Sequence, residues 1–214
     1  MAGKKQFDVE DALDRAVLAF WTQGYAETSV ETLSESTGLG RSSLYGTFGD
    51  KNALFVRALD RYRRRWGDQY DAALARHPHD PAKAVAAYLD VILSRIADPD
   101  LPDGCLVAIS AAQAGTMNAG TLEHVQAALA DQRSRLLTAL TTRGLPRRRA
   151  EDLASFLLAV TQSLGVLSRA GTPTAHLRAV ARTSVAAVAD AAKAADLTHA
   201  SRSPSKRRDQ RRRP

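Results

Sequence analysis

A single cysteine, Cys105, in 214 residues leaves no partner for an intramolecular disulfide, so an intracellular, cytoplasmic protein is the simple expectation. No apolar run approaches the ~20 residues of a membrane span. Lys4 and Lys5 are followed by Asp8, Glu10, Asp11 and Asp14 rather than an apolar segment, so no secretory leader is expected. Period-two alternation of β-branched residues is also scarce, which argues against sheet. No nucleophile–base pair, Gly-rich phosphate loop or paired-carboxylate motif is spaced for catalysis. An enzyme is not expected, and neither is a cofactor. His77, His79 and Asp80 share a Pro-rich turn with no further ligand nearby, which reads as an exposed loop and not a metal site. Cys105, among Leu106, Val107 and Ile109, reads as a small buried hydrophobe and not a redox sensor.

Basic charge is present, but unevenly. The net charge is +7, and residues 201–214, "SRSPSKRRDQRRRP", carry seven Lys/Arg against one Asp. That tail lacks apolar residues and is expected to be disordered from about 199. The first 70 residues hold ten Lys/Arg and ten Asp/Glu, so a nucleic-acid surface on the body must be a local patch.

Ala and Leu dominate, and apolar residues recur at helical spacing. Leu13, Ala16, Val17 and Phe20 share a face within 8–23, and Gly24 stops that helix. Thr28 and Glu31 have capping-box spacing for a second helix carrying Val30 and Leu33, which Gly38 ends. In "GLGRSSLYGTFGDK", residues 38–51, Gly40 fits an N-cap and Leu39 with Leu44 a hydrophobic staple. Leu44 and Phe48 face inward together, and Arg41, Ser42, Ser43, Tyr45, Gly46 and Thr47 face out. Two short helices joined by Gly38-Leu39-Gly40 make a helix-turn-helix or, equally on geometry alone, a helical hairpin of an ordinary core. Further helices are expected at 50–75, 81–97, 104–118, 121–142, 148–170 and 174–194. The expected fold class is all-α, about nine helices: a three-helix head over 1–50, a helical domain over 51–198 and a tail over 199–214.

The stretch "ALDRAVLAFWTQGYAETSVETLSESTGLGRSSLYGTFGDKNALF", residues 12–55, resembles the TetR (tetracycline-repressor) family of bacterial transcription regulators. The matching features are Phe20, Gly24-Tyr25, Thr28-Ser29, Gly38-Leu39, Tyr45 with Phe48, and Lys51 with Leu54. "GCLVAIS" (104–110) and "LAVTQSLGVLSRAG" (158–171) resemble stretches of the family's divergent C-terminal domain. The recognition helix departs from the family at Gly40 and Thr47, where a hydroxyl and a His are common.

The resemblance implies a ligand-responsive homodimeric repressor of a palindromic DNA operator. Thr28, Ser29, Tyr45 and Lys51 would bind phosphates, while Arg41, Ser42, Ser43, Gly46 and Thr47 would lie near base edges. Helix N-terminal amides welcome phosphate oxygens, and Arg41 can pair with guanine for about 1–3 kcal/mol of discrimination. By family analogy Trp66, Tyr70, Tyr88, Ile92, Ile109, Met117, Phe156 and Gln162 would line an effector pocket, a mostly apolar set that implies a small apolar ligand.

Two stripes complete the reading. Leu153, Leu157, Val160, Leu164 and Leu167, then Leu177, Val180, Ala181, Ser184, Val185 and Val188, recur at helical spacing with small neighbours such as Gly165. They are expected to meet their own copies in a four-helix dimer interface burying on the order of 2,000 Å² or more. A DNA-compacting protein driven by the basic tail, and a carrier or enzyme keeping only the helical domain, are the rival readings.

Overall fold

The computed structural model describes residues 7–202, with side chains to 197. Among these there are nine α-helices and no strand. α1 is Val9–Gln23, α2 Val30–Thr37, α3 Arg41–Phe48, α4 Lys51–Ala75 and α5 Pro81–Ile96. α6 is Leu106–Ala112, α7 Ala119–Thr141, α8 Arg147–Arg169 and α9 Thr174–Arg202.

Local chemistry sets most boundaries. The side chains of Asp8, Asp50, Asp80 and Asn118 each accept first-turn amides as N-caps. Gly24, Gly38 and Gly49 end α1, α2 and α3 with positive φ, where an L side chain is strained. The stretch expected as one helix over 104–118 is broken. Cys105 precedes α6, a single 3₁₀ turn spans Ala114–Thr116, and Asn118 starts α7 earlier than the sequence suggests. α9 continues to Arg202, beyond the expected tail boundary, and the rest of the tail lies outside the described residues.

α1, α2 and α3 close over the start of α4. Phe20 and Phe55 are fully buried and meet edge to face at 5.1 Å, and Tyr25 meets Phe55 at 4.9 Å. α4 supplies that core and then runs on into the larger half, so one continuous helix joins the two. The larger half packs α5 on α9 and α7 on α8, with α4 and α6 filling between.

That packing turns most of the residues expected at the interface inward within one chain. Leu153, Leu157, Val160 and Leu164 on α8 are buried within one chain, as are Leu177, Ala181, Ser184 and Val188 on α9. Val180 and Val185 are half-buried, and only Leu167 is exposed. One chain covers both stripes because α7 takes the inner face of α8 and α5 takes that of α9. Gly165 serves the same internal contact: a Cβ there would come within 2.8 Å of the Cys105 Cβ. By length and composition α8 is apolar enough to cross a membrane, but its inner stripe is part of this core.

Candidate DNA-reading head and effector cleft

On the head, α3 turns Leu44 and Phe48 inward and leaves Arg41, Ser42, Ser43, Tyr45 and Gly46 exposed, with Thr47 half-buried. The Arg57 guanidinium lies over the Phe48 ring at 4.7 Å and donates to the Thr47 carbonyl at 3.3 Å, tying the end of α3 to α4. A Cβ on Gly46 would meet nothing within 4 Å, so the head's own packing does not require glycine there.

Thr28 does not belong on this surface. It is fully buried, and its hydroxyl donates to the Gly24 carbonyl at 2.6 Å, closing the turn between α1 and α2. Ser29 caps α2 instead, accepting from the Thr32 amide at 3.0 Å. Glu31 therefore sits one position too early to complete a capping box, and it forms an ion pair with Arg41 across the turn. Ser29 remains exposed beside the α2 N-terminus. Lys51 is not a free point charge. Its ammonium stands 4.6 Å over the Tyr25 ring and donates to the Ala26 carbonyl at 3.2 Å, and desolvation lowers its pKa despite nearby Glu27.

The Glu31–Arg41 pair carries a prediction. Both side chains are more than half exposed, so the pair contributes little stability. Glu31→Gln should tighten DNA binding by up to about five-fold, since it frees Arg41 and removes a charge that repels phosphate. Titration of one operator at two salt concentrations checks it; weaker binding would show that the pair positions Arg41 for DNA.

In the larger half, a cleft of about 390 Å³ opens among α4, α6 and α7, the size of a small-ligand site. Of the expected lining residues, only Trp66 and Tyr70 line it. Tyr88 and Ile92 are core, Ile109 and Met117 are half-buried elsewhere, and Phe156 is exposed on α8. Gln162 stands one layer back and donates to the Gln132 side chain at 2.7 Å. The lining is also less apolar than expected. Asp60, Asp68 and Asp131 face Arg63, Arg64 and Arg135, beside Tyr62, Trp66, Tyr70, Val107 and Ala128. Arg63 pairs with Asp60 and Asp131, and Arg135 pairs with Asp71.

Contacts from the larger half reach the head. The Gln113 side chain, just past α6, accepts from the Ala26 amide at 3.1 Å. Arg169, ending α8, donates to the Trp21 and Thr22 carbonyls at the end of α1. Asn52 on α4 accepts from Tyr25 at 2.5 Å and from Thr121 at 3.2 Å.

Residues 12–58 match the family model described as bacterial regulatory proteins, tetR family, and residues 81–183 match the LmrA/YxaF-like transcriptional regulator C-terminal domain. The HTH-type transcriptional repressor ComR of Escherichia coli (strain K12) is 30% identical over 186 residues, covering 85% of this chain and 89% of ComR. The chain belongs to the TetR family of transcriptional regulators. It is thus a DNA-binding regulator and not an enzyme. Among solved structures it resembles a cysteine mutant of the TetR family regulator CifR complexed with 26bp double-strand operator DNA, at 28% identity and a TM-score of 0.72 over 86% of this chain and 98% of that one. A TetR regulator from Chloroflexus aurantiacus J-10-FL matches with a TM-score of 0.74 and 25% identity over 84% of this chain and 93% of that one.

Neither the charged lining of the cleft nor the Gln113 contact with the head was legible in sequence. Arg63 and Arg135 look like solvated helix charges, and Gln113 lies in a stretch that read as plain helix. Arg95 was missed as well, although it continues the Val85–Tyr88–Ile92 stripe of α5, where an apolar residue is expected.

Proposed function

We propose that this TetR-family protein is a homodimeric repressor whose two α3 helices read a palindromic operator, and that a small effector in the α4–α6–α7 cleft releases it. The observation that carries the effector reading is the place of α6. Val107 on α6 forms part of the cleft wall, and Gln113 just beyond it holds the Ala26 amide of the head. An effector that shifts α6 therefore shifts the head. Half-sites must lie about one helical turn apart, ~34–36 Å, so a small tilt of each head loses register.

The dimer is proposed on the outer faces of α8 and α9. Phe156, Ala159, Ser163 and Val166 share one exposed stripe of α8 with Leu167 beside it, and Arg182, Thr183 and Ala186 are exposed on α9. Three of the exposed large hydrophobics among the described residues, Phe156, Val166 and Leu167, fall on this helix. A twofold contact of such a face with itself covers them.

Operator selection from a random DNA library, followed by binding to single-base variants, tests the reading. Tyr45→Phe should weaken matched and mismatched sites alike, because a phosphate contact carries no sequence information. Arg41→Ala should relax preference at one base pair of each half-site. Removing 201–214 should lower the salt slope and background affinity and keep the sequence preference. Loss of all DNA binding on that truncation would make the tail, not α3, the DNA-binding element.

A further inference from the structure

We propose that the cleft takes a small organic anion, a monocarboxylate on an aromatic or apolar body, whose carboxylate pairs with the Nε–Nη2 edge of Arg95. This rests on the effector reading above and names the effector's chemistry.

Arg95 is the one charged side chain among the described residues that is buried, at 3% exposure. Its Nη1 is occupied, donating to the Tyr62 hydroxyl at 2.6 Å and to the Gly104 carbonyl at 2.9 Å. Its Nε and Nη2 are buried with no hydrogen-bond partner. No described ion pair includes it. The guanidinium lies instead within 5.4 Å of the Trp21 and Trp66 ring centroids and 5.9 Å of the Tyr62 centroid. Ring faces favour a cation but do not satisfy two in-plane N–H groups. Nε and Nη2 form the side edge of the fork, which meets a carboxylate with two parallel hydrogen bonds.

Among the described residues no carboxylate pairs with Arg95. Burial pushes the Tyr62 and Tyr70 phenols upward against the opposing pull of the Arg95 guanidinium that both face, so they stay neutral and approach Arg95 as hydroxyls, not as anions. The carboxylates at the cleft are engaged elsewhere: Asp60 and Asp131 pair with Arg63 and Asp71 pairs with Arg135, and none of them pairs with Arg95. Arg95 stands one ring behind the cleft, since Tyr62 and Trp66 both line the cleft and pack on its guanidinium. Displacing a ring edge brings a carboxylate onto it, and Tyr70, Val107 and Ala128 then cover an apolar body. The same guanidinium holds the Gly104 carbonyl just before α6, so a bound anion acts on the helix that leads to Gln113 and the head.

The only two tryptophans, Trp21 and Trp66, both pack on Arg95, so intrinsic fluorescence reports on the site. The full chain is titrated with 3-phenylpropionate and with neutral 3-phenylpropanamide, then with benzoate and octanoate, and operator affinity is measured in parallel. A saturable response to an acid, at least about ten-fold weaker for the amide, is expected. Arg95→Lys keeps the charge and loses the side edge, and should bring the acid to the level of the amide. Equal binding of acid and amide by the wild type, acid binding unchanged in Arg95→Lys, or no saturable response to any acid would each overturn the proposal. Acid-selective binding that leaves operator affinity unchanged would uphold the anion site and overturn the effector reading.

Discussion

Val166→Glu should give a folded monomer that loses tight operator binding, by about 10²- to 10⁴-fold. Val166 is 54% exposed, so the free chain tolerates a carboxylate there with little loss of stability. In a twofold contact, however, two copies of that carboxylate are brought together and desolvated, which the interface cannot compensate. A single head then binds one half-site without the effective-concentration gain from its twin. Leu164→Glu makes the contrast. Leu164 is fully buried, so a carboxylate there is buried without a partner in place of lost apolar packing. The combined cost of several kcal/mol is comparable to a domain's whole stability of about 5–15 kcal/mol, and that variant should unfold. Sedimentation velocity and helical circular dichroism on both variants decide the matter. A Val166→Glu protein that remains dimeric with wild-type operator affinity would place the dimer contact elsewhere.

Gly46→Ala should move stability and DNA affinity in opposite directions. In the interior of the eight-residue α3, glycine costs about 0.5–1 kcal/mol relative to alanine. The added methyl meets nothing in the free protein, so the melting temperature should rise by about 2–4 °C. On DNA, that methyl stands on the exposed face that also carries Arg41, Ser42 and Tyr45. Overpacking a close contact costs about 1–3 kcal/mol, which is about a five- to 150-fold loss of operator affinity. A variant that is more stable and still binds as wild type would mean that α3 does not approach DNA closely at this position.

How far the sequence could be read depended on whether the deciding interactions were local. The head was legible because its signals lie within a few residues: a positive-φ glycine after each of α1, α2 and α3, and inward Leu44 and Phe48 one turn apart. The error at Thr28 was also local. Thr28 and Ser29 are both good cap residues, and the choice fell to Ser29 because the Thr28 hydroxyl had the Gly24 carbonyl to bond. Residue roles on DNA could be assigned only by resemblance, because Arg41 and Lys51 had partners in space, Glu31 and the Tyr25 ring, that spacing does not reveal.

In the larger half the sequence alone determined that there would be helices, roughly where they would begin and end, and which residues on α8 and α9 lie in apolar stripes. The tertiary structure decided which stripe faces inward. α8 is apolar on two sides, with Leu157 and Leu164 on one and Phe156 and Val166 on the other, and helical periodicity is blind to which side a neighbour will cover. It also decided the cleft. Trp66 and Tyr70 line it and Tyr88 does not, because α6 and α7 stand off α4 there while α5 packs tightly. Arg95 is the extreme case. In sequence it is a cation in the last turn of a helix, where the helix dipole favours one. Only the convergence of Trp21, Tyr62 and Trp66 from two other helices encloses it, and burial of a charge is a property of that convergence rather than of the residues near it in the chain.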